Sequence, residues 1–179
     1  MIKIRPLKRS DKRKSLRTGN PDLDRFFARY AGQNQFRHHV GMTYVAEEDG
    51  GLVGFATVSG SHIKISDLPR EQTKRLPRYP LPILRLARLG VAETAQGRGI
   101  GLKLLMAVFE IAHRMADLVG CLGVVVDAKP EAIGFYTKYG FKALDVVRGQ
   151  LGDRPQPIPM YLALSAIPDP RVQSTDSDD

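Results

Sequence analysis

The chain has 179 residues, of which 42% are hydrophobic, enough for one sizeable core but too few for two comfortable domains. Its single cysteine excludes an internal disulfide and a multi-cysteine metal site, and its four histidines lack metal-binding spacing, so we predict no metal. The sequence has no apolar run near the roughly 20 residues of a membrane-spanning helix, and no secretory signal at its start. We therefore expect a soluble, cytoplasmic protein without a membrane partner.

The net charge of +8 is concentrated near the N-terminus. Residues 1–40 hold 11 Lys and Arg against 3 Asp and Glu, whereas residues 41–179 hold 16 of each. A second basic run extends from Lys64 to Arg88. Such clusters predict an anionic partner, either a nucleic acid or the phosphates of a cofactor. The alternative is a basic surface that only keeps the protein soluble.

The first predicted elements are a strand and an amphipathic helix. Residues 2–5 alternate apolar and basic side chains, which is typical of a half-buried edge strand. The sequence Asn20-Pro21-Asp22 then provides an N-cap, a proline in the first turn and an acid for the helix dipole. Apolar side chains follow at the i, i+3, i+4, i+7 spacing of one helix face, and they are Leu23, Phe26, Phe27 and Tyr30.

The next segment predicts a hairpin, a short helix and a longer strand. Thr43–Ala46 and Leu52–Ser59 flank an acidic turn that ends in two glycines, as in an antiparallel hairpin. Asp67-Leu68-Pro69 can start a short helix that runs to Arg75. Three prolines at positions 77, 80 and 82 then force an extended approach to a strand over Ile83–Val91.

A glycine-rich turn follows that strand and leads into a long helix over Gly99–Val119, which Gly120 ends as a C-cap. The run Cys121–Asp127 is almost continuously apolar, as expected of a strand buried on both faces. Its cysteine is therefore expected to be an inert part of the core rather than a nucleophile.

The last elements are one helix and two strands. The helix begins at Pro130 and stops at Gly140, and the strands are Phe141–Val147 and Pro159–Leu164. The end of the chain is rich in Ser and Asp, so we predict a single domain over residues 1–167 and a disordered tail over residues 168–179.

The turn between the strand and the long helix reads Gln96-Gly97-Arg98-Gly99-Ile100-Gly101. Unpaired backbone N–H groups at a helix start attract anions, and glycines let a phosphate approach the backbone closely. Both the dinucleotide pattern G-x-G-x-x-G and the P-loop pattern fail here, because position 102 is leucine. The turn therefore predicts a phosphate site of another kind, and the alternative is a tight corner without a ligand.

Two motifs together resemble the GNAT family of N-acetyltransferases. Gln96-x-x-Gly99-x-Gly101 after its strand resembles the acetyl-CoA signature of that family, and Phe135-Tyr136-x-x-x-Gly140-Phe141 resembles its second hallmark. The resemblance extends from Met1 to about Leu164. It implies an α/β fold, with a mixed sheet of six to seven mostly antiparallel strands splayed at the centre and helices on both faces.

The resemblance implies acetyl-CoA as co-substrate and assigns roles to particular residues. Tyr136 would be the general acid that protonates the leaving thiolate, with Tyr139 as the alternative, and Phe135 would pack beside the cofactor or in the core. Backbone groups of the turn would bind the pyrophosphate, and the strand end would pair with the pantetheine arm and polarise the thioester carbonyl. The cofactor-binding residues so implied are Leu89, Gly90, Val91, Gln96, Gly97, Arg98, Gly99, Ile100, Gly101, Leu102 and Phe135.

Within the family, three stretches resemble the GNAT toxins of bacterial toxin–antitoxin modules: Leu23–Gln35, Thr43–Ala46 and Pro82–Val91. The resemblance implies acetylation of the α-amino group of aminoacyl-tRNA, which blocks translation, and a ribbon-helix-helix antitoxin as partner. The resemblance does not decide whether the protein forms a homodimer. The usual Phe-Asp-Cys-Gly-like run before the first helix is replaced here by Ser15–Asn20, which has neither Asp nor Cys.

The charge distribution independently favours a nucleic-acid substrate, because basic side chains can hold an acceptor stem by its phosphates without reading its sequence. The basic residues expected to do so are Lys8, Arg9, Lys12, Arg13, Lys14, Arg17, Lys74, Arg75 and Arg78. Two alternatives stay open. One is a GNAT enzyme that acetylates a small-molecule amine, a protein N-terminus or a lysine, and the other is a non-catalytic module that binds acetyl-CoA or nucleic acid.

Overall fold

Seven strands form one sheet in the order β1-β2-β3-β4-β5-β7-β6 in the computed structural model, which describes residues 1–144, 157–169 and 171. The pairs β1–β2, β2–β3, β5–β7 and β6–β7 are antiparallel. The strands are β1 (Lys3–Pro6), β2 (Met42–Glu48), β3 (Gly51–Ile63), β4 (Leu81–Val91), β5 (Gly123–Ala128), β6 (Lys142–Ala143) and β7 (Ile158–Ala163). The helices are α1 (Pro21–Arg25), α2 (Ala31–Gln33), α3 (Arg70–Thr73), α4 (Ile100–Leu118) and α5 (Ile133–Lys138).

The chain divides into two compact units. The first comprises Met1–Ser59 and Leu86–Val108, and the second comprises Gly60–Arg85 and Phe109–Asp179. Among the described residues, no helix is both long enough and apolar enough to cross a membrane.

In the first unit, a hairpin carries the sheet edge. Asp49 and Gly50 connect β2 to β3 with positive φ angles of 50° and 79°, as a two-residue turn between twisted strands requires. Their strands bury Val45 and Phe55 opposite each other, because alternate residues of a strand point to the same face. The Phe55 ring stacks on Phe27, with 4.4 Å between the ring centroids, so the hairpin packs against the helical segment.

The helical segment of the first unit begins at its predicted cap. The Asn20 side chain accepts hydrogen bonds from the N–H groups of Asp22 and Leu23, at 3.0 and 3.2 Å. The segment is less regular than predicted, because π-helical turns follow both α1 and α2. These wider turns change which side chains are buried, and Tyr30, predicted to lie in the apolar stripe, is 47% exposed.

In the second unit, a core forms around the antiparallel β5–β7 pair. It contains Ile63, Ile83, Val125 and Tyr161, all buried. Gly120 follows α4 with a φ of 96°, and its N–H donates to the carbonyl of Met115. The predicted glycine C-cap of the long helix is therefore confirmed.

Most predicted elements are confirmed, with shifted boundaries. β3 runs on to Ile63 because the extended pattern continues past Ser59, and α3 ends at Thr73 instead of Arg75. β5 begins at Gly123, so Cys121 precedes the strand, although its side chain is buried as expected. The long helix starts at Ile100, because Gly99 keeps a positive φ.

Strand β6 is described only over Lys142–Ala143, and its predicted continuation through Val147 lies outside the described residues. Most of the predicted disordered tail also lies outside them. The predicted fold class, a mostly antiparallel α/β sheet of six to seven strands, is confirmed. The central splay and the single domain stay predictions.

Candidate functional site

The glycine turn of the first unit presents bare backbone to solvent. Gly97 and Gly99 have φ angles of 76° and 77°, in the left-handed region that favours glycine. A side chain built on either residue would meet no other atom within 4 Å, so the space in front of the turn is open. Helix α4 begins at once, at Ile100, and the N–H groups of a first helical turn have no partner inside the helix. This geometry fits an anion bound by backbone groups.

Packing against the core and against β3 holds the start of α4 in place. The Ile100 side chain is 1% exposed, so only its backbone can face a ligand, and Gly101 and Leu102 are half-buried. A side chain on Gly54 of β3 would lie 3.1 Å from the Leu104 side chain, so the helix sits directly on the strand. Packing of the buried Ile100 side chain and of the helix on β3 therefore holds the end of the turn.

A hydrogen-bonded group around Thr18 connects the turn to the end of β4. The Gln96 side-chain amide donates to the carbonyls of Thr18 and Val91, at 2.9 and 3.1 Å. The Thr18 hydroxyl and N–H both donate to the Asp24 carboxylate, at 2.7 and 2.9 Å. Because its amide nitrogen is bound to backbone carbonyls, Gln96 positions the turn.

The end of β4 has no room for a side chain at Gly90. A Cβ there would lie 2.9 Å from the Phe55 ring and 3.0 Å from the Thr18 methyl group. Leu89 and Val91 flank this glycine and are half-buried. No local sequence pattern marks Thr18 as part of the site, and an acid such as Asp24 in a first helical turn is already explained by the helix dipole.

Arg98, in the middle of the turn, is paired with an acid. Its guanidinium donates to both carboxylate oxygens of Glu48, at 2.6 and 2.9 Å, the two-bond geometry that favours arginine. The hydrogen bond from Arg98 holds the pKa of Glu48 below its ordinary value. Glu48 lies at the end of β2, 50 residues away in sequence, so no local pattern could have revealed this contact.

In the second unit, Tyr136 lies in a cluster of aromatic rings on α5. It is 4% exposed, and its ring meets those of Phe135 and Phe141 edge-on, with centroids 5.2 and 5.3 Å away. Burial raises the pKa of Tyr136 above its ordinary value of 10, because the charged phenolate would lose its hydration. A tyrosine is already protonated at neutral pH and burial stabilises that form further, so Tyr136 carries a proton that it can donate.

The second sequence motif is explained by how α5 ends. The Phe141 N–H donates to the Tyr136 carbonyl and the Gly140 N–H to the Thr137 carbonyl, both at 3.1 Å, while Gly140 has a φ of 93°. This is a Schellman motif, which brings the residue after the glycine onto the residue five positions earlier. The motif therefore places the Phe141 ring against Tyr136. Tyr139 is half-buried, and its ring contacts that of Phe135 at 5.1 Å.

The N-terminal basic residues line an open cleft in the first unit. The cleft measures about 560 Å³ and includes Lys12, Arg13 and Lys14 in its lining. The Arg13 guanidinium lies against Gly32, and its buried Nη1 has no hydrogen-bond partner in the described part of the chain. Arg17 Nη1 donates to the Lys14 carbonyl at 2.7 Å.

The other basic residues predicted to bind phosphates are exposed. Arg9 lies over the Phe36 ring, at 4.7 Å, and Lys8 is exposed beside it. Lys74, Arg75 and Arg78 follow α3 in the second unit and are also exposed. Within the described ranges, no group of three or more His, Cys, Asp or Glu could hold a metal ion.

The sheet and the open glycine turn before a long helix are those of an α/β protein with a backbone site for an anion. A family model described as the acetyltransferase (GNAT) domain matches residues 39–143. A relative named tRNA-acetylating toxin, from Mycobacterium tuberculosis, is 30% identical over 129 residues, which are 72% of this chain and 76% of the relative. The chain therefore belongs to the GNAT acetyltransferase family.

Solved structures share the whole fold. One, a crystal structure of a bacterial toxin, has a TM-score of 0.84 and 23% identity, covering 100% of this chain and 97% of that one. Another is AtaT complexed with acetyl-methionyl-tRNAfMet, with a TM-score of 0.80, 20% identity and coverage of 98% and 100%. A third is a tyrosine-to-phenylalanine mutant of AtaT bound to the C-terminus of the antitoxin AtaR and acetyl-CoA, with a TM-score of 0.73, 19% identity and coverage of 93% and 96%. The predicted GNAT acetyltransferase and its resemblance to GNAT toxins are confirmed.

Proposed function

We propose that this protein transfers the acetyl group of acetyl-CoA to the α-amino group of aminoacyl-tRNA, and so acts as the translation-blocking toxin of a toxin–antitoxin module. The observation that carries the proposal is the relative that acetylates tRNA, which is 30% identical to this chain over most of both lengths. The structures of AtaT with an acetylated aminoacyl-tRNA and with acetyl-CoA support the same chemistry in a protein of the same fold.

Acetyl-CoA fits the residues of the glycine turn. Its pyrophosphate needs N–H donors and close approach to the backbone, and the open space at Gly97 and Gly99 provides that approach. Ile100, Gly101 and Leu102 contribute backbone N–H groups. When bound, the coenzyme supplies an acyl group activated as a thioester.

The remaining coenzyme-binding roles stay proposals that rest on family resemblance. The backbone at Leu89, Gly90 and Val91 receives the pantetheine arm, and an N–H there polarises the thioester carbonyl. Arg98 supports the phosphates after leaving Glu48, and Phe135 packs beside the cofactor.

Tyr136 is the proposed general acid. The amine nitrogen of the acceptor attacks the carbonyl carbon, the carbon–sulfur bond breaks, and Tyr136 gives its proton to the departing thiolate. The new amide releases one proton to solvent, from which Tyr136 recovers its own. An α-amino group has a pKa of about 7.7–8.0, so a useful fraction is already neutral and no strong base is needed.

The basic residues are proposed to hold the tRNA. Their phosphate contacts carry no sequence information, so they fit a substrate chosen by its shape and its charged amino-acid end. The residues are Lys8, Arg9, Lys12, Arg13, Lys14, Arg17, Lys74, Arg75 and Arg78. We propose in addition a ribbon-helix-helix antitoxin as partner, a cytoplasmic location, and a homodimer as the assembly to be tested.

Controlled expression of the protein tests this function in cells. Growth should stop, and mass spectrometry of the tRNA pool should find acetylated aminoacyl ends that are missing when Tyr136→Phe is expressed at the same level. Growth arrest without acetylated tRNA, or full growth with abundant folded wild type, would contradict the proposal. Acetylated small amines or acetylated proteins in the same cells would instead favour the other GNAT substrates.

A further inference from the structure

The helical segment of the first unit alternates two kinds of turn. The α-helical pieces Pro21–Arg25 and Ala31–Gln33 are each followed by a π-helical piece, Phe26–Tyr30 and Asn34–His38. In the π pieces, hydrogen bonds close over five residues: the Ala31 N–H, for example, donates to the Phe26 carbonyl. An α turn takes 3.6 residues and a π turn more than four, so the segment averages about four residues per turn.

Burial follows this unusual period. Phe27, Ala31 and Gln35 are buried at intervals of four residues. A row of exposed side chains lies half a turn away, also at intervals of four, and it consists of Arg25, Arg29, Gln33 and Arg37. In a uniform α-helix each step of four residues would rotate by about 40°, so the ends of the exposed row would diverge by about 120°. The alternation of turns therefore aligns three arginines that a regular helix would spread around its axis.

The aligned row forms an exposed basic strip, called here the arginine ridge (Arg25, Arg29, Gln33 and Arg37). At about 1.5 Å per residue it is roughly 18 Å long, with neighbours about 5–6 Å apart. The two acids of the segment, Asp22 and Asp24, pair with Arg25 at 2.6 Å and with Thr18. Arg29 and Arg37 thus have no acid of this segment against them.

Further positive charge and an aromatic ring flank the ridge. The Arg88 guanidinium lies over the Phe26 ring at 4.9 Å, and Arg9 lies over Phe36 at 4.7 Å. Tyr30, on the row beside the ridge, is 47% exposed, which suits stacking against an unpaired base. Arginines around an exposed aromatic side chain are the chemistry that binds RNA.

We propose that the arginine ridge binds the phosphate backbone of the RNA substrate and adds a contact surface to the basic residues already proposed. This inference rests on the proposed function, because the RNA is taken to be the tRNA that is acetylated. The ridge binds without reading sequence, since its arginines meet phosphates and its tyrosine can stack on any base.

Tests of the ridge use binding of uncharged tRNA over a series of salt concentrations. In Arg29→Gln/Arg37→Gln, the dissociation constant near physiological salt should rise at least about ten-fold. The slope of log K against log salt should flatten by about 1.5, because each lost phosphate contact removes about 0.7–0.9. Acetyl-CoA affinity and melting temperature should be unchanged. The matched control Arg114→Gln/Lys142→Gln removes two exposed charges of the second unit and should alter tRNA binding much less.

A gain of charge tests the alignment itself. Gln33→Arg completes the row, so it should tighten tRNA binding several-fold and steepen the salt slope by nearly one unit. Ser165→Arg adds the same charge at an exposed site of the second unit and should do neither. If both arginine variants behave alike, or if the double variant behaves like its control, the ridge does not bind RNA.

Two further outcomes separate the ridge from the proposed function. A wild type that acetylates aminoacyl-tRNA while the ridge variants bind and react normally would overturn the ridge alone. A wild type that binds tRNA through the ridge but never acetylates it would overturn the substrate assignment and leave the ridge standing. A different outcome would assign the ridge to a protein partner. If the ridge variants lose binding to an acidic antitoxin peptide but still bind tRNA normally, the ridge is a protein-docking surface and the RNA proposal is wrong.

Discussion

The glycine turn and the aromatic cluster around Tyr136 are built in opposite ways. The turn is exposed backbone with left-handed glycines and open space in front of it, whereas Tyr136 is buried among rings that raise its pKa. Charge binding by N–H groups needs access to the backbone, whereas proton donation by a tyrosine needs its side-chain hydroxyl. The two regions should therefore fail differently when they are altered.

The largest effect is expected at the buried region. Tyr136→Phe removes only a hydroxyl, so acetyl-CoA affinity should stay within about two-fold while turnover falls roughly 10²-fold or more, as expected for a lost general acid. Steady-state kinetics and calorimetry measure the two quantities. Tyr139→Phe is the matched control and should keep most of its activity. Equal losses in the two variants would move the proton donor elsewhere.

The exposed region should show the reverse pattern. Gly99→Glu forces a side chain into a left-handed φ of 77° and adds negative charge beside the expected pyrophosphate, so acetyl-CoA affinity should fall about 10²-fold. Gly99→Ala introduces the backbone strain without the negative charge, so its acetyl-CoA affinity should fall less. Gly60→Glu lies in open space without a positive φ and serves as control. Undiminished calorimetric affinity in folded Gly99→Glu protein would refute the phosphate site.

A smaller effect on acetyl-CoA binding is expected from the Thr18–Asp24 hydrogen bond that supports the glycine turn. Thr18→Val keeps the shape but removes the hydroxyl that donates to Asp24 at 2.7 Å, a charged hydrogen bond of about 1.5–3 kcal/mol. If that bond positions the strand end and the turn, KM for acetyl-CoA should rise about three- to ten-fold with kcat little changed, and Thr18→Ser should restore it. A lower melting temperature with an unchanged KM would leave Thr18 a purely structural residue.

The smallest effect concerns the ion pair at the edge of the turn. Because Glu48 occupies the Arg98 guanidinium, Glu48→Gln should free it for the phosphates and tighten acetyl-CoA binding about two-fold, an exposed pair being worth little. The gain should shrink at high salt. Glu71→Gln on α3 is the control. Weaker binding in Glu48→Gln would show that the pair supports the turn instead of competing with the coenzyme.

Local patterns predicted the fold well, because strands, caps and glycine turns depend on residues that are neighbours in the sequence. Asn20, the Asp49–Gly50 turn and Gly140 act within a few positions of themselves. The partners of the site could not be predicted in this way. Glu48 reaches Arg98 across 50 residues, and Gln96 reaches Thr18 across 78. The exposed row of arginines could not be predicted for another reason, since a 3.6-residue period does not align it and the π turns change that period.

The most direct test of the proposed function measures acetyl transfer from labelled acetyl-CoA. Four acceptors are compared side by side: aminoacyl-tRNA, deacylated tRNA, free amino acid and a small polyamine. If the proposed function is correct, transfer should be rapid to aminoacyl-tRNA alone, on the amino acid's α-nitrogen, and almost absent in Tyr136→Phe. Transfer to the free amine at the same rate, or none to any aminoacyl-tRNA in a complete set, would contradict it.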